Sequence, residues 1–137
     1  MSYALAGPLQ AGIYAHLAAD AALNGLIAGA IFDGVPPGEL PLTYVSLGAE
    51  MVRDRSDADG AGALHRVTVS VISSAPGFAA AKAVAAAVSD ALADARPGLS
   101  RGRVVAIWFE RATAKRSGSS GQLRRIDLTF RARVEDA

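Results

Sequence analysis

The stretch RDRSDADGAG, Arg53 to Gly62, holds the densest cluster of acids in the chain. It resembles the opening of a calcium loop. Such a loop supplies oxygens from positions 1, 3 and 5, turns on a glycine at 6 and closes on a bidentate glutamate at 12. With Gly60 at position 6, Asp57 and Asp59 fall at 3 and 5, but Arg55 stands at 1 and Arg66 at 12. Cations occupy the two places where the ion most needs carboxylates. The stretch therefore reads as a polar hairpin tip carrying Arg53, Asp54, Arg55, Asp57 and Asp59, and no metal is expected there.

Other chemistry finds equally little support. The chain has no cysteine, which removes disulfides, thiolate metal sites and cysteine nucleophiles. His16 and His65 lie far apart and outside any H-x-x-x-H spacing, so each is expected to be an ordinary satisfied or surface histidine. Ser117–Gly121, SGSSG, is not the strand-to-helix elbow of a serine nucleophile. Gly60–Gly62 is not followed by a helix and cannot cradle a phosphate. Asp33, Glu39, Glu50 and Glu110 are available for acid–base work, but no spacing singles them out. Neither a catalytic residue nor a cofactor is expected.

The basic residues are more concentrated. Arg124, Arg125, Arg131 and Arg133 crowd the C-terminal segment, joined by Arg101, Arg103, Lys115 and Arg116. Arginines on one face suit contact with phosphate backbones. Single-strand readers also interleave exposed aromatics for base stacking. Here Trp108 and Phe130 sit in apolar runs and are expected in the core.

Periodicity supplies the elements that must position these groups. Leu5, Leu9, Ile13 and Leu17 recur every four residues, predicting a helix over about 4–19 with Pro8 in its first turn. Asp20 is placed to N-cap a second, short helix, AALNGLIA. AIFDG predicts a short strand, VPPGELP a loop, and LTYVSLGAEMV a strand. HRVTVSVIS alternates with Val67, Val69 and Val71 on one face, so it should pair with the preceding strand as an antiparallel hairpin. Ser74 and Pro76 should open an alanine-rich helix running to about Ala95, burying Phe78, Ala81, Ala85, Val88 and Leu92. RVVAIWFERAT is apolar on both faces over Val104–Phe109, which predicts a central strand. KRSGSSGQ predicts a loop. In the last strand Ile126, Leu128, Phe130, Ala132 and Val134 should face inward, and Arg125, Asp127, Thr129, Arg131 and Arg133 outward. The order is α-α-β-β-β-α-β-β. It defines an α+β fold: a mainly antiparallel sheet of four to five strands, with the N-terminal helix pair and the long helix packed on it.

At 137 residues and 51% hydrophobic composition the chain makes one domain, 1–137, with a modest core. No basic-then-apolar opening marks a signal peptide. The most apolar long stretch, 75–95, carries Lys82, Asp90 and Asp94, so no membrane span is expected. Net charge is +1, but residues 1–95 hold four Lys/Arg against nine Asp/Glu, whereas residues 96–137 hold ten against four. That asymmetry suits a polyanion, or a protomer that meets copies of itself head to tail.

The ordered segments AGIYAHLAADAALNGLIAGAIFDGVPPGELPLTYVSLG, then the strand from His65, the alanine-rich helix and FRARVE at Phe130–Glu135 form one pattern. Leu17, Ala19, Asp20 and Leu23, then Phe32, Asp33, Pro36, Pro37 and Pro41, then Tyr44, Val45, Leu47 and Gly48 carry it. Over nearly the whole chain it resembles the tail completion, or tail terminator, proteins of phages and prophages, also found in gene transfer agents. The resemblance implies a non-enzymatic virion protein at the head-proximal end of the tail, assembled in the bacterial cytoplasm. Such proteins form a ring, typically of six copies, that stops tail-tube polymerisation. The ring meets the major tail tube protein and the head-to-tail connector, or stopper, and DNA passes through its lumen. Thirty alanines, and twelve arginines against two lysines, point to a GC-rich genome. The expected contact elements are the hairpin tip, Lys115, Arg116, Arg124, Arg125, Arg131 and Arg133. Two other readings stay open on the residues alone: a small α+β enzyme or ligand-binding domain with a site at the proline-rich loop, and a non-specific nucleic-acid binder using the C-terminal arginine face.

Overall fold

The computed structural model describes residues 3–34, 38–54 and 62–136. The helical stripe read from the sequence becomes α1 (Ala6–Ala18), whose Leu9, Ile13 and Leu17 are buried together with Leu5 just before it. Leu23 N donates to Asp20 Oδ2 at 2.9 Å, capping α2 (Ala21–Ile27) as expected. Ala28, in the left-handed conformation, and Gly29 (φ +79°) end that helix.

Five strands follow: β1 (Ile31–Asp33), β2 (Thr43–Asp54), β3 (Gly62–Ser73), β4 (Arg103–Ser117) and β5 (Leu123–Glu135), with α3 (Ala79–Leu92) between β3 and β4. They form one sheet in the order β1-β2-β3-β5-β4. β1 runs parallel to β2, and every other pairing is antiparallel. The sheet is therefore mixed but mainly antiparallel, and the element order matches the expectation.

The helices cover one face of the sheet. Val45, Leu47, Val69, Val71, Ile126, Leu128, Phe130, Ala132 and Val134 lie beneath them, all buried. α3 contributes Ala81, Val84, Ala85, Val88 and Leu92. His16 Nε2 donates to Ala91 O at 2.8 Å and ties α1 to α3. Gly12 lets α1 lie against the segment after α3. A Cβ there would stand 2.7 Å from Leu99 Cδ2 and 3.0 Å from Gly98 O.

Several expectations need correction. β4 is an edge strand among the described strands, not a central one. Its apolar run misleads because two register shifts, at Val104/Ala106 and Phe109/Arg111, re-aim its side chains. Val104 and Ile107 reach the core, whereas Trp108 and Phe109 are 42% and 52% exposed. Trp108 is therefore not a core residue. α3 begins at Ala79, after the bends of 75–78, rather than at Ser74, and ends at Leu92 rather than near Ala95. Phe78 sits at its N-cap, half-buried. Lys115, Arg116 and Ser117 belong to β4, so the connection to β5 is only 118–122.

Candidate functional site

The face of the sheet turned away from the helices carries most of the predicted contact residues. Its composition follows from strand alternation. Buried partners at Ile126, Leu128, Phe130 and Val134 force Arg125, Asp127, Arg131 and Arg133 to the opposite side. Cross-strand registers then assemble rows. Arg53, Leu64 and Arg133 form one row; Met51, Arg66, Arg131 and Trp108 form the next.

Within these rows the charges are organised. Arg66 Nε donates to Glu110 Oε1 at 2.9 Å, and Arg131 Nε lies 3.6 Å from the same oxygen. The Arg131 guanidinium lies over the Trp108 ring, 5.6 Å from its centroid. The Glu110 carboxyl is held below the usual glutamate range, chiefly by the Arg66 hydrogen bond. Burial opposes that shift, while the charges of Arg66, Arg111 and Arg131 reinforce it. Further along, Arg125 Nε donates to Asp127 Oδ1 at 2.9 Å, and Ser70 Oγ donates to the same oxygen at 2.6 Å. Arg103 pairs with Glu135, and Arg133 Nη2 lies 3.9 Å from Glu135 Oε2. Each acid on this face, among the described residues, is thus paired with arginine, and the face keeps an excess of positive charge. Thr68, Thr129, Ser70, Asp127, Arg125 and Arg111 line a shallow polar trough of about 340 Å³ in its middle.

The predicted residues divide accordingly. Arg53, Arg125, Arg131 and Arg133 share this face, and Lys115 joins it on β4 opposite Arg125. Arg124 does not: it pairs opposite Ser73 and Arg116 on the helix side, where its guanidinium lies 5.9 Å from the Phe78 ring. Asp54 ends β2. Arg55, Asp57 and Asp59 lie outside the described residues.

Sequence reasoning put Arg66, with Thr68 and Ser70, on the polar side of its strand, but it did not count Arg66, Trp108 or Glu110 among the contact residues. The signal for Trp108 was weak, since an apolar run hides a strand edge. It also missed a polar chain on the helix side, buried at its His65 end and exposed at Tyr3. His65, fully buried, donates from Nδ1 to Glu50 Oε2 at 2.8 Å, and Tyr3 Oη donates to Glu50 Oε1 at 2.7 Å. The Tyr3 hydroxyl is pushed up, first by that hydrogen bond, then by the Glu50 charge and by burial. Glu50 reaches this side because a register shift between Leu47 and Glu50 moves it there. Gly48 inside an otherwise regular strand was the available clue. Glu50 and Tyr3, with Gln10, Tyr14 and Asp33, also border an open cleft of about 600 Å³ beside α1.

The site thus lies on a small two-layer domain with one charged sheet face and, among the described residues, an uncovered edge at β4. The chain belongs to the family of tail completion protein gp17, whose model matches residues 11–135. It is accordingly a structural tail protein and not an enzyme. A solved chain from the virion of a native gene transfer agent particle is 60% identical, with a TM-score of 0.92 over 98% of this chain and 99% of that one. No curated protein matches this chain.

Proposed function

We propose that this protein is a tail terminator. Copies of it form a ring at the head-proximal end of a phage-like tail tube, stop tube growth and join the tail to the head connector. The observation that carries this reading is the full-length likeness to a chain of a gene transfer agent virion, together with membership of the tail completion family. The number six, the tube and connector as neighbours, and the passage of DNA through the lumen come from the family resemblance.

On this reading the contact surface comprises the outer sheet face with Arg53, Arg125, Arg131 and Arg133, the β4 edge with Lys115 and Arg116, Arg124 on the helix side, and Asp54, Arg55, Asp57 and Asp59 of the hairpin tip. Heterologous contact between unlike faces closes a ring when the rotation per copy allows it. The purified protein, alone and mixed with tail tubes, tests the reading by native mass spectrometry and electron microscopy. Closed rings, or capped tubes of fixed length, are expected. A monomer that never joins tubes overturns it. Reversing Asp57 and Asp59 to lysine should impair assembly and leave the monomer folded; normal rings would remove the hairpin tip from the contact surface.

The positive excess of the outer face favours one second reading, contact with nucleic-acid backbone without sequence preference. Binding of duplex DNA by the monomer that falls steeply with salt, in the absence of any ring, is its signature.

A further inference from the structure

The helix-covered face of the sheet ends in unlike features at its two edges. Beside α1, at the β1–β2 edge, lies the open cleft of about 600 Å³. Gly12 and His16 turn one side of α1 to α3 and the segment after it. Gly7, Gln10 and Tyr14 stand on the other side. Gln10 Nε2 donates to Asp33 Oδ1 at 2.7 Å, so that side looks out past the end of β1. The exposed rings of Tyr3 and Tyr14, with Ala11 and Leu47, give the cleft apolar walls, and Asp33 and Glu50 add two carboxylates. Among the described residues no Lys or Arg lines it.

At the β4 edge α3 leaves a groove of about 310 Å³, lined by Lys82, Ala85, Phe109 and Ala112 and, among the described residues, by no acid. Phe109 packs edge-on against the buried Phe130, at 6.0 Å between centroids, so its ring stands on the helix side. Half of that ring is nevertheless exposed.

Cross-strand registers put cleft and groove at one height. Glu50 pairs with Val67, Val67 with Phe130, and Phe130 with Phe109. Leu47, Val69, Leu128 and Ala112 form the next row on the same face. Both rows run from the cleft at one edge to the groove at the other. β1 ends at Asp33, opposite Leu47, so at the height of Glu50 no described strand lies outside β2. A ring closes by rotation without rise. With its axis along the strands, the β4 edge of each copy comes beside the β1–β2 edge of the next, at equal height and with the same face turned the same way. Phe109 then arrives at the cleft, and a groove holding a cation meets a cleft holding two carboxylates. An apolar cavity of ~150 Å³ accepts a benzene-sized group, so the cleft has room for the ring.

We propose that Phe109 of one copy seats in the cleft of the next, between Tyr3 and Tyr14. This deepens the terminator reading and rests on it: the contact is heterologous, so each copy keeps one free cleft and one free Phe109 until a ring closes.

The chain has no cysteine, so introduced thiols report without background. Ala11 in the cleft and Ala112 beside Phe109 are both exposed, and replacing them leaves Phe109 in place. A11C and A112C are treated with a short bis-maleimide, separately and mixed, free and on tail tubes. Cross-linked dimers are expected in the mixture and not with either variant alone; the double variant should give a ladder ending at the ring size. A112C linking mainly to itself would overturn the proposal in favour of a two-fold contact between β4 edges. F109A should melt close to the wild type, because its ring is half exposed, and associate at least ~30-fold more weakly. A11W fills the cleft without touching β4 and should show the same loss. Either variant folded and associating normally sinks the seat. Normal F109A rings that no longer cap tubes would give Phe109 to the tube and also sink it. Electron microscopy of the wild type separates the two ideas. Rings without the mixed cross-link sink the seat and spare the terminator. A mixed cross-link without rings supports the seat and sinks the ring. Absence of both, in a folded protein supplied with tubes, removes both.

Discussion

Arg66 on β3 donates to Glu110 on β4 across the intervening β5, at 2.9 Å. The bond spans the one strand of the sheet that pairs with both others, so it braces β4 against the rest of the sheet. It exists because the register shift at Phe109/Arg111 turns Glu110 toward the outer face, where Arg66 and Arg131 converge on it.

That brace should be acid-labile. The Glu110 carboxyl is held below its ordinary value, first by the Arg66 hydrogen bond. A group depressed in the folded state stabilises it above the unfolded pKa, about 4.3 for glutamate, and that contribution fades as pH falls through the folded value. Thermal melts from about pH 7 down to about pH 3 should show E110Q less stable than wild type at neutral pH, with the difference shrinking below about pH 4. A difference independent of pH would contradict the assignment.

The buried pair should be costly to break. His65 has no solvent exposure and its Nδ1 is matched only by Glu50. Replacing His65 with alanine leaves the Glu50 carboxylate without that donor and opens a void, and should cost about 2–4 kcal/mol in urea unfolding. Tyr3→Phe removes one exposed hydrogen bond and should cost under about 1 kcal/mol. Equal losses in the two variants would mean that the chain acts as one unit.

Gly102 should not tolerate a side chain. Its φ is +72°, and a Cβ would meet Glu135 O at 2.6 Å and Leu5 Cδ2 at 2.9 Å. Backbone strain and overpacking act together, so G102A should lose about 2–4 kcal/mol. Gly7→Ala, where nothing lies within 4 Å, should be neutral or stabilising and serves as the control.

Reversing the outer face should separate folding from assembly. Arg131 and Arg133 are half-buried on the solvent side of β5, above a core they do not enter. R131E/R133E should stay folded by circular dichroism, within about 2 kcal/mol of wild type, because its lost pairs are surface ones. Assembly seen by electron microscopy should be impaired. Normal rings would leave this face to solvent.

Local pattern carried far in this chain. The four-residue stripe of α1, the Asp20 cap and the alternation of β5 each depend on neighbours in sequence, and each was readable without coordinates. What was hidden depends on distant partners. Nothing within RVVAIWFERAT says that β5 alone pairs with it, or that its two register shifts expose Trp108. Glu50 could not be assigned to the buried side without the shift at Gly48–Ala49, and its partners, Tyr3 and His65, lie 47 and 15 residues away. The outer face was half legible: alternation put Arg66, Arg125, Arg131 and Arg133 on polar strand faces, while the meeting of Arg66 and Arg131 at Glu110 required the strand order.

The free edge of β4 has a further consequence, for solubility. Fifteen residues of strand with unpaired backbone groups are a template for uncontrolled sheet growth. Two bulges break that edge, and Arg103, Arg111, Lys115 and Arg116 punctuate it with like charge. Two free copies that approach edge to edge therefore meet repulsion before they meet hydrogen-bonding partners. The protein carries its own guard against fibril formation during the interval between synthesis and incorporation, and that guard weakens wherever a polyanion neutralises the row.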